Sequence, residues 1–369
     1  MTCSQWKRKK KVSHEKGRMG KLVKDNLLRI LFSAGLFRAW KFRQQNRIII
    51  ITLHGVMDNK LSCKWTPLRP QVSIEWLERA LSILSKEYRF VSLDDAVNMI
   101  LGRKPVQPYS MAFTFDDGYR NNLTCGIPVL KQFGARGTMF LTAGHIERRK
   151  PFWFDRLDYV LQHAEVAGRR IRVGKESVLI EKNDRDSLRR SYKELRDKAK
   201  AEVRDDREML AELESIAEGL EKECGKCLAE IFECDDWSRI VTWDEVRRAE
   251  KDGVDFGSHT VDHIRLGFSD PETIRDQLQR SKKMIESGIG LDCRHFCYPD
   301  GSYDGRSAAI VKDCGYLSAC SQDPGTNKVG DYPLMLRRIS FPSICSPERL
   351  LAKVSGLSDA LVRGGGGSW

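Results

Sequence analysis

The stretch Arg47–Gly55, RIIIITLHG, decides the fold. Four isoleucines, a threonine and a leucine run without polar alternation before the chain reaches His54, so the pattern predicts a strand covered on both faces. Runs of the same kind recur at Ser110–Phe115, Thr138–Thr142, Val254–Ser258, His295–Tyr298, Leu317–Ser321 and Leu336–Phe341. Helical patterns lie between most of them, at Ile74–Lys86, Asn122–Phe133, Thr242–Lys251 and Pro271–Ser287. Strands buried on both faces and separated by helices predict an α/β fold around a parallel sheet.

One interval breaks this rhythm. From His145 to Ile240 no closely spaced strands occur, only a helical pattern over Trp153–Val166, a basic hairpin-like piece at Ile171–Ile180 and long charged helices. The chain thus divides into an arm (1–46), a first α/β part (47–144), a mainly helical insertion (145–240), a second α/β part (241–345) and a C-terminal helix with a GGGGSW tail (346–369). At 369 residues and 41% hydrophobic it can bury a core, which excludes wholesale disorder. The uncharged stretch Ile30–Phe37 is too short for a membrane span, and it lies too deep in the chain to read as a cleaved secretory leader.

The net charge of +12 is segregated. Residues 1–47 hold 14 Lys or Arg against Glu15 and Asp25, which leaves the remaining chain neutral. Within Met19–Phe42, apolar residues such as Leu22, Leu27, Leu31 and Phe37 interleave with Lys21, Lys24, Arg29 and Arg38. That spacing predicts an amphipathic helix on an anionic membrane surface, on its cytoplasmic side, or else a helix docked on the body. The few stacking aromatics argue against nucleic acid. Eleven cysteines, odd in number and without a compact framework, suit a reducing compartment. Cys224, Cys227 and Cys234 continue the helical spacing of Leu210, Leu213, Ala217 and Leu220, and so read as a buried seam rather than as zinc ligands.

Two pieces carry chemistry, and both stand where apolar runs end. Ala112–Gly118, AFTFDDG, places Asp116 and Asp117 side by side at a strand terminus. Adjacent carboxylates repel, so a cation between or beside them is expected. Gly257–His263, GSHTVDH, puts His259 and His263 four residues apart, a spacing that can turn both imidazoles to one side. One carboxylate with two imidazoles leaves open positions on a divalent ion, as catalytic sites require.

The order TFDDG (114–118), HTVDH (259–263) and FCYPDGSYD (296–304) resembles the NodB-homology polysaccharide deacetylases, carbohydrate esterase family 4. Leu53–Val56 (LHGV) and Leu336–Ile339 (LRRI) look like two further segments of one branch of that family. The resemblance covers residues 48–342 apart from the insertion, and implies a distorted (β/α) barrel with a metal, Zn2+ by expectation, at its C-terminal rim. It implies hydrolysis of an N-acetyl group on a sugar in a glycan or glycolipid. Residue by residue, Asp117, His259 and His263 would hold the metal, and Asp116 would be the base that deprotonates the attacking water. An N–H of the turn formed by Tyr298, Pro299, Asp300 and Gly301 would meet the oxyanion.

Two positions depart from the family pattern. Cys297 stands where an arginine is usual and Asp300 where an aromatic is usual, so Arg294 or Arg338 would have to supply the cation beside Asp116. No histidine follows His295, so the late histidine that usually acts as general acid is missing. His54, at the end of the first strand, is the substitute candidate, its alternative being a histidine bonded to a loop carbonyl. His145, His163 and His295 read as structural. The competing functions are a carbohydrate-binding protein that has lost turnover and a non-haem iron oxygenase, since two histidines and a carboxylate also make a facial triad.

Overall fold

A computed structural model describes residues 28–58, 65–202 and 205–358. Seven parallel strands close into a barrel: β1 (Ile49–Leu53), β2 (Ser110–Phe115), β3 (Gly137–Leu141), β4 (Asp255–Ser258), β5 (His295–Cys297), β6 (Ser318–Pro324) and β7 (Leu336–Ser340). They pair in chain order, and β1 closes the ring by pairing with both β2 and β7, Ile51 standing opposite Phe113 and Ile339. All seven apolar runs in the sequence become barrel strands. A short strand, Arg89–Phe90, adds to β2 outside the ring. Every residue of β1, β2 and β3 is buried, which accounts for their lack of alternation.

Alternation survives in another form, because the side chains sort by parity into two cores. Ile50, Ala112, Phe140, Cys297, Cys320 and Leu336 pack together with helix Leu93–Ile100. Ile49, Ile51, Met111, Phe113, Met139 and Leu141 join the larger core with the surrounding helices. Thr52, Thr114 and Asp116 share the parity of the first set, as does Arg338, so polar groups of the same barrel face gather toward the C-terminal ends of the strands. The register between β6 and β7 shifts between Cys320 and Pro324, which carries Arg338 opposite Pro324.

Between β3 and β4 lie helix α1 (Trp153–His163), an antiparallel hairpin (Arg170–Val173 with Glu176–Leu179) and helices α2 (Arg185–Glu202) and α3 (Asp206–Cys224). A buried ion pair, Arg265 with Asp206, ties the start of α3 to the loop after His263. The expected cysteine seam does not continue: Gly225, in left-handed backbone (φ 62°), caps α3, Cys227 precedes a separate short helix, and Cys234 is exposed. The nine cysteines among the described residues are free thiols.

The arm also differs from a single surface helix. Gly35, at φ 73°, breaks the helix that runs through 28–33 from helix Leu36–Arg43. Leu28 and Phe37 enter the large core, and Leu31, Phe32 and Trp40 pack against it. Leu31 and Phe37 therefore serve the body rather than a lipid surface. Leu22, Leu27, their basic neighbours and the GGGGSW tail lie outside the described residues. Among the described residues no helix is long and apolar enough to cross a membrane.

Candidate active site

The motif residues follow directly on the ends of β1, β2, β4 and β5, so closing the barrel brings them to one rim. Asp117 Oδ1 lies 3.6 Å from His259 Nε2 and 3.4 Å from His263 Nε2, with Asp117 and His259 buried and His263 nearly so. These separations are too long for good hydrogen bonds. They match the edge of a tetrahedron whose centre stands about 2.1 Å from each corner, the distance at which zinc takes nitrogen and oxygen ligands. His259 Nδ1 meets the Cys297 carbonyl at 2.7 Å, which places the proton there and leaves the Nε2 lone pair for an ion. Asp117 (φ 73°), Thr260 (φ 67°) and His263 (φ 57°) all hold left-handed backbone that only glycine adopts freely, a strain borne where the three donors converge. The donor set thus fits a small divalent cation.

Asp116 points the other way, into the barrel. Arg338 grips it with both nitrogens, Nη1 to Oδ1 and Nη2 to Oδ2, each at 2.7 Å, and Thr52 Oγ1 lies 3.3 Å from Oδ2. Burial alone would push this carboxyl up, but the Arg338 charge and its hydrogen bonds prevail and hold it at about 2. Arg338 Nη2 also reaches Cys297 Sγ at 3.0 Å, so the guanidinium fills the space beside the cysteine that replaces the usual arginine. Arg294 pairs instead with Asp94, on the other side of the β5 strand's start. Asp116, His259 and Cys297 also cluster. With Arg338 already on both oxygens of Asp116, that cluster has its cation.

His54 lines the same cavity, 44% exposed at its side chain, with Nε2 3.9 Å from Asp116 Oδ2. The Tyr298–Gly301 turn contributes less than expected. Tyr298 is fully buried with its hydroxyl donating to the Leu334 carbonyl, so no substrate touches its ring. Pro299 has no N–H, and the Gly301 N–H donates to the Tyr298 carbonyl. These bonds leave the Asp300 N–H, in a residue at φ 54° whose side chain lines the cavity. His145, His163 and His295 bond to Lys150, Tyr159 and Ser318, outside this cavity.

A family model for polysaccharide deacetylase matches residues 103–319, more than half of the chain. The chain belongs to the polysaccharide deacetylase family. A curated relative, YxkH of Bacillus subtilis (strain 168), itself assigned only provisionally as a polysaccharide deacetylase, is 24% identical over 102 residues, 27% of this chain and 37% of that protein. The match thus spans well under half of the relative's length. The fold resembles that of the Streptococcus pyogenes deacetylase PplD in complex with acetate, with a TM-score of 0.54 and 16% identity over 84% of this chain and 99% of that one. It also resembles IcaB from Ammonifex degensii, with a TM-score of 0.50 and 16% identity over 84% of this chain and 96% of that one.

Several cavity residues of this deacetylase-family chain escape motif reading. Arg69, Phe154 and Arg196 line the cavity with His54, Asp117, His259, His263 and Asp300. Lys200, also from α2, pairs with Asp300 at 2.7 Å, so a salt bridge occupies the place of the usual aromatic. No spacing rule links positions so far apart in sequence. The one usable signal is that Arg196 and Lys200, four apart, share a helix face.

Proposed function

We propose that this protein is a zinc-dependent deacetylase that hydrolyses the N-acetyl amide of a sugar in a polysaccharide or lipid-linked glycan. The observation that carries the reading is the separation of two chemical tasks. Asp117, His259 and His263 present three converging donors, while the neighbouring Asp116 is kept off that point by Arg338. A divalent ion held by those three donors would supply Lewis acidity toward the amide carbonyl and the attacking water. Asp116, ionised at neutral pH, accepts the proton of that water. The Arg338 pairing keeps Asp116 ionised and so able to accept a proton. His54, half exposed with Nε2 3.9 Å from Asp116 Oδ2, takes that proton on from Asp116 and passes it to the leaving amine nitrogen as the C–N bond breaks. The Asp300 N–H faces the oxygen on which negative charge develops. The products are acetate and a free amino sugar.

The test is metal analysis combined with acetate release from N-acetylated oligosaccharides. Purified protein is expected to hold one zinc per chain. Asp116→Asn is expected to keep that zinc and lose turnover by about a hundredfold or more, the scale of a lost general base. His263→Ala is expected to lose both. Full turnover by the Asp116→Asn variant would remove Asp116 from the mechanism.

The net charge of +12 on residues 1–47 supports a second proposal, that the enzyme works at an anionic membrane surface on the cytoplasmic side. A lipid-linked substrate would then meet a surface-held enzyme.

A further inference from the structure

The cavity over the candidate metal ligands encloses about 500 Å3, and one wall carries two arginines that amide hydrolysis does not use. Arg69 lies in the segment after β1, and Arg196 comes from α2 of the insertion. Their guanidinium carbons stand 5.0 and 5.7 Å from the centre of the same ring, Phe154. Phe154 in turn meets His263 edge-on, ring centres 5.5 Å apart. Two cations are thus held one side chain away from a proposed metal ligand.

Their pairing is incomplete. Arg69 is anchored through Nη2, which reaches Asp155 at 2.7 Å and the Tyr119 hydroxyl at 2.6 Å, but its Nε is buried without a partner. Among the described residues, Arg196 has one hydrogen bond, a long one of 3.5 Å from Nη1 to the Tyr192 hydroxyl, and no carboxylate within 4.0 Å. Its Nε is also buried and unpartnered. Of the nearby cations, Lys200 is neutralised by Asp300 and Arg338 by Asp116, and Lys353 also lines the cavity. Both Nε atoms are closed off from the cavity, so the groups left to meet a ligand there are Nη atoms, above all those of Arg196, which no carboxylate among the described residues reaches within 4.0 Å. The planar fork of arginine matches the oxygens of phosphate and carboxylate.

We infer that Arg196 and Arg69 form an oxyanion subsite, so that the N-acylated sugar carries a phosphate or carboxylate group on the reacting ring or its neighbour. This rests on the deacetylase reading and narrows it to acidic glycans or phosphate-linked sugars. Arg69 is the member anchored by Asp155, and Arg196, packed among the Trp153, Phe154 and Tyr192 rings, is the member without a carboxylate partner.

The test uses the zinc-loaded full chain and three N-acetylhexosamine substrates: a neutral methyl glycoside, the 1-phosphate, and a disaccharide with a hexuronic acid. One acidic substrate is expected to exceed the neutral one in kcat/KM by about tenfold or more, through KM. Which of the two does so separates a phosphate source from a uronate source. In Arg196→Gln the ratio of acidic to neutral kcat/KM is expected to fall by about tenfold, and Arg196→Lys should recover part of it. Inorganic phosphate should inhibit the native chain more strongly than Arg196→Gln. Equal kcat/KM for all three substrates, with phosphate inhibition unchanged by the substitution, would overturn the subsite and leave the deacetylase reading standing. If no substrate releases acetate, that reading fails, and calorimetry with inorganic phosphate still decides the subsite. Binding lost in Arg196→Gln supports it, and equal binding overturns it.

Discussion

Arg338 shows how a residue far along the chain can replace one that a motif lacks. Its side chain is fully buried, and so is Asp116, so the pair exists only because each neutralises the other. Removing one partner should cost far more than an exposed ion pair would. Arg338→Met is expected to lower unfolding free energy by about 3–5 kcal/mol, measured by urea denaturation of the metal-free chain. The pH dependence should also change sign. With Asp116 held at about 2 against 3.8 in the unfolded chain, its stabilisation is present above pH 3.8 and disappears as pH falls through 2. Without Arg338, burial alone raises the carboxyl, and its contribution would instead fall as pH rises through the new, higher value. A native-like acid limb in Arg338→Met would mean that the ion pair does not set the state of Asp116. The His259–His263 interval and the Asp116–Asp117 pair were legible from spacing because strand ends and a four-residue interval are local, while the choice of Asp117 as the third donor rested on the family resemblance. Arg338 was legible only as one of two candidates, since choosing it over Arg294 requires the β6–β7 register, and Arg69, Phe154 and Arg196 meet only through tertiary packing.

Among the elements, the barrel strands were the most legible, because uniform apolar runs survive any arrangement of the loops between them. The helix ends were less so. The cysteine spacing fits a helix up to Cys224, but Gly225 stops it, and periodicity does not see a cap. β4 depends on a glycine for another reason. A Cβ at Gly257 would stand 2.7 Å from the His295 carbonyl oxygen and 2.7 Å from the Phe140 ring, and backbone cannot give way as a flexible side chain can. Gly257→Ala is therefore expected to push β4 away from β5 two residues before His259. The expected result is a loss of about 1–3 kcal/mol in stability, read by thermal unfolding, with weaker zinc binding, read by competition with a chelator. Loss of stability with native zinc affinity would show that the loop after β4, not the strand, positions His259.

At the scale of the whole molecule, charge and packing divide the arm into two parts. Residues 28–47 belong to the body: Phe37 and Leu28 lie in the core, Trp40 Nε1 donates to the Ser355 carbonyl, and Lys41 pairs with Glu87. Deleting the whole arm would therefore damage the fold as well as any lipid contact. Most of the basic charge precedes residue 28, and the apolar side chains still exposed nearby are Ile30, Leu36 and Phe42. Each basic residue near an anionic bilayer contributes about 1 kcal/mol before screening, so a cluster of this size is enough for reversible attachment. Full-length protein is expected to sediment with phosphatidylserine-containing vesicles at low salt, to be released as salt rises, and to ignore neutral vesicles. Deleting residues 1–26 should abolish that sedimentation while leaving acetate release from a soluble substrate and the unfolding temperature close to native. Changing Ile30, Leu36 and Phe42 together to serine should weaken vesicle binding at intermediate salt, where inserted apolar groups matter most against screened charge. If the full-length chain stays in solution with anionic vesicles at low salt, the basic arm has another partner and the surface model fails.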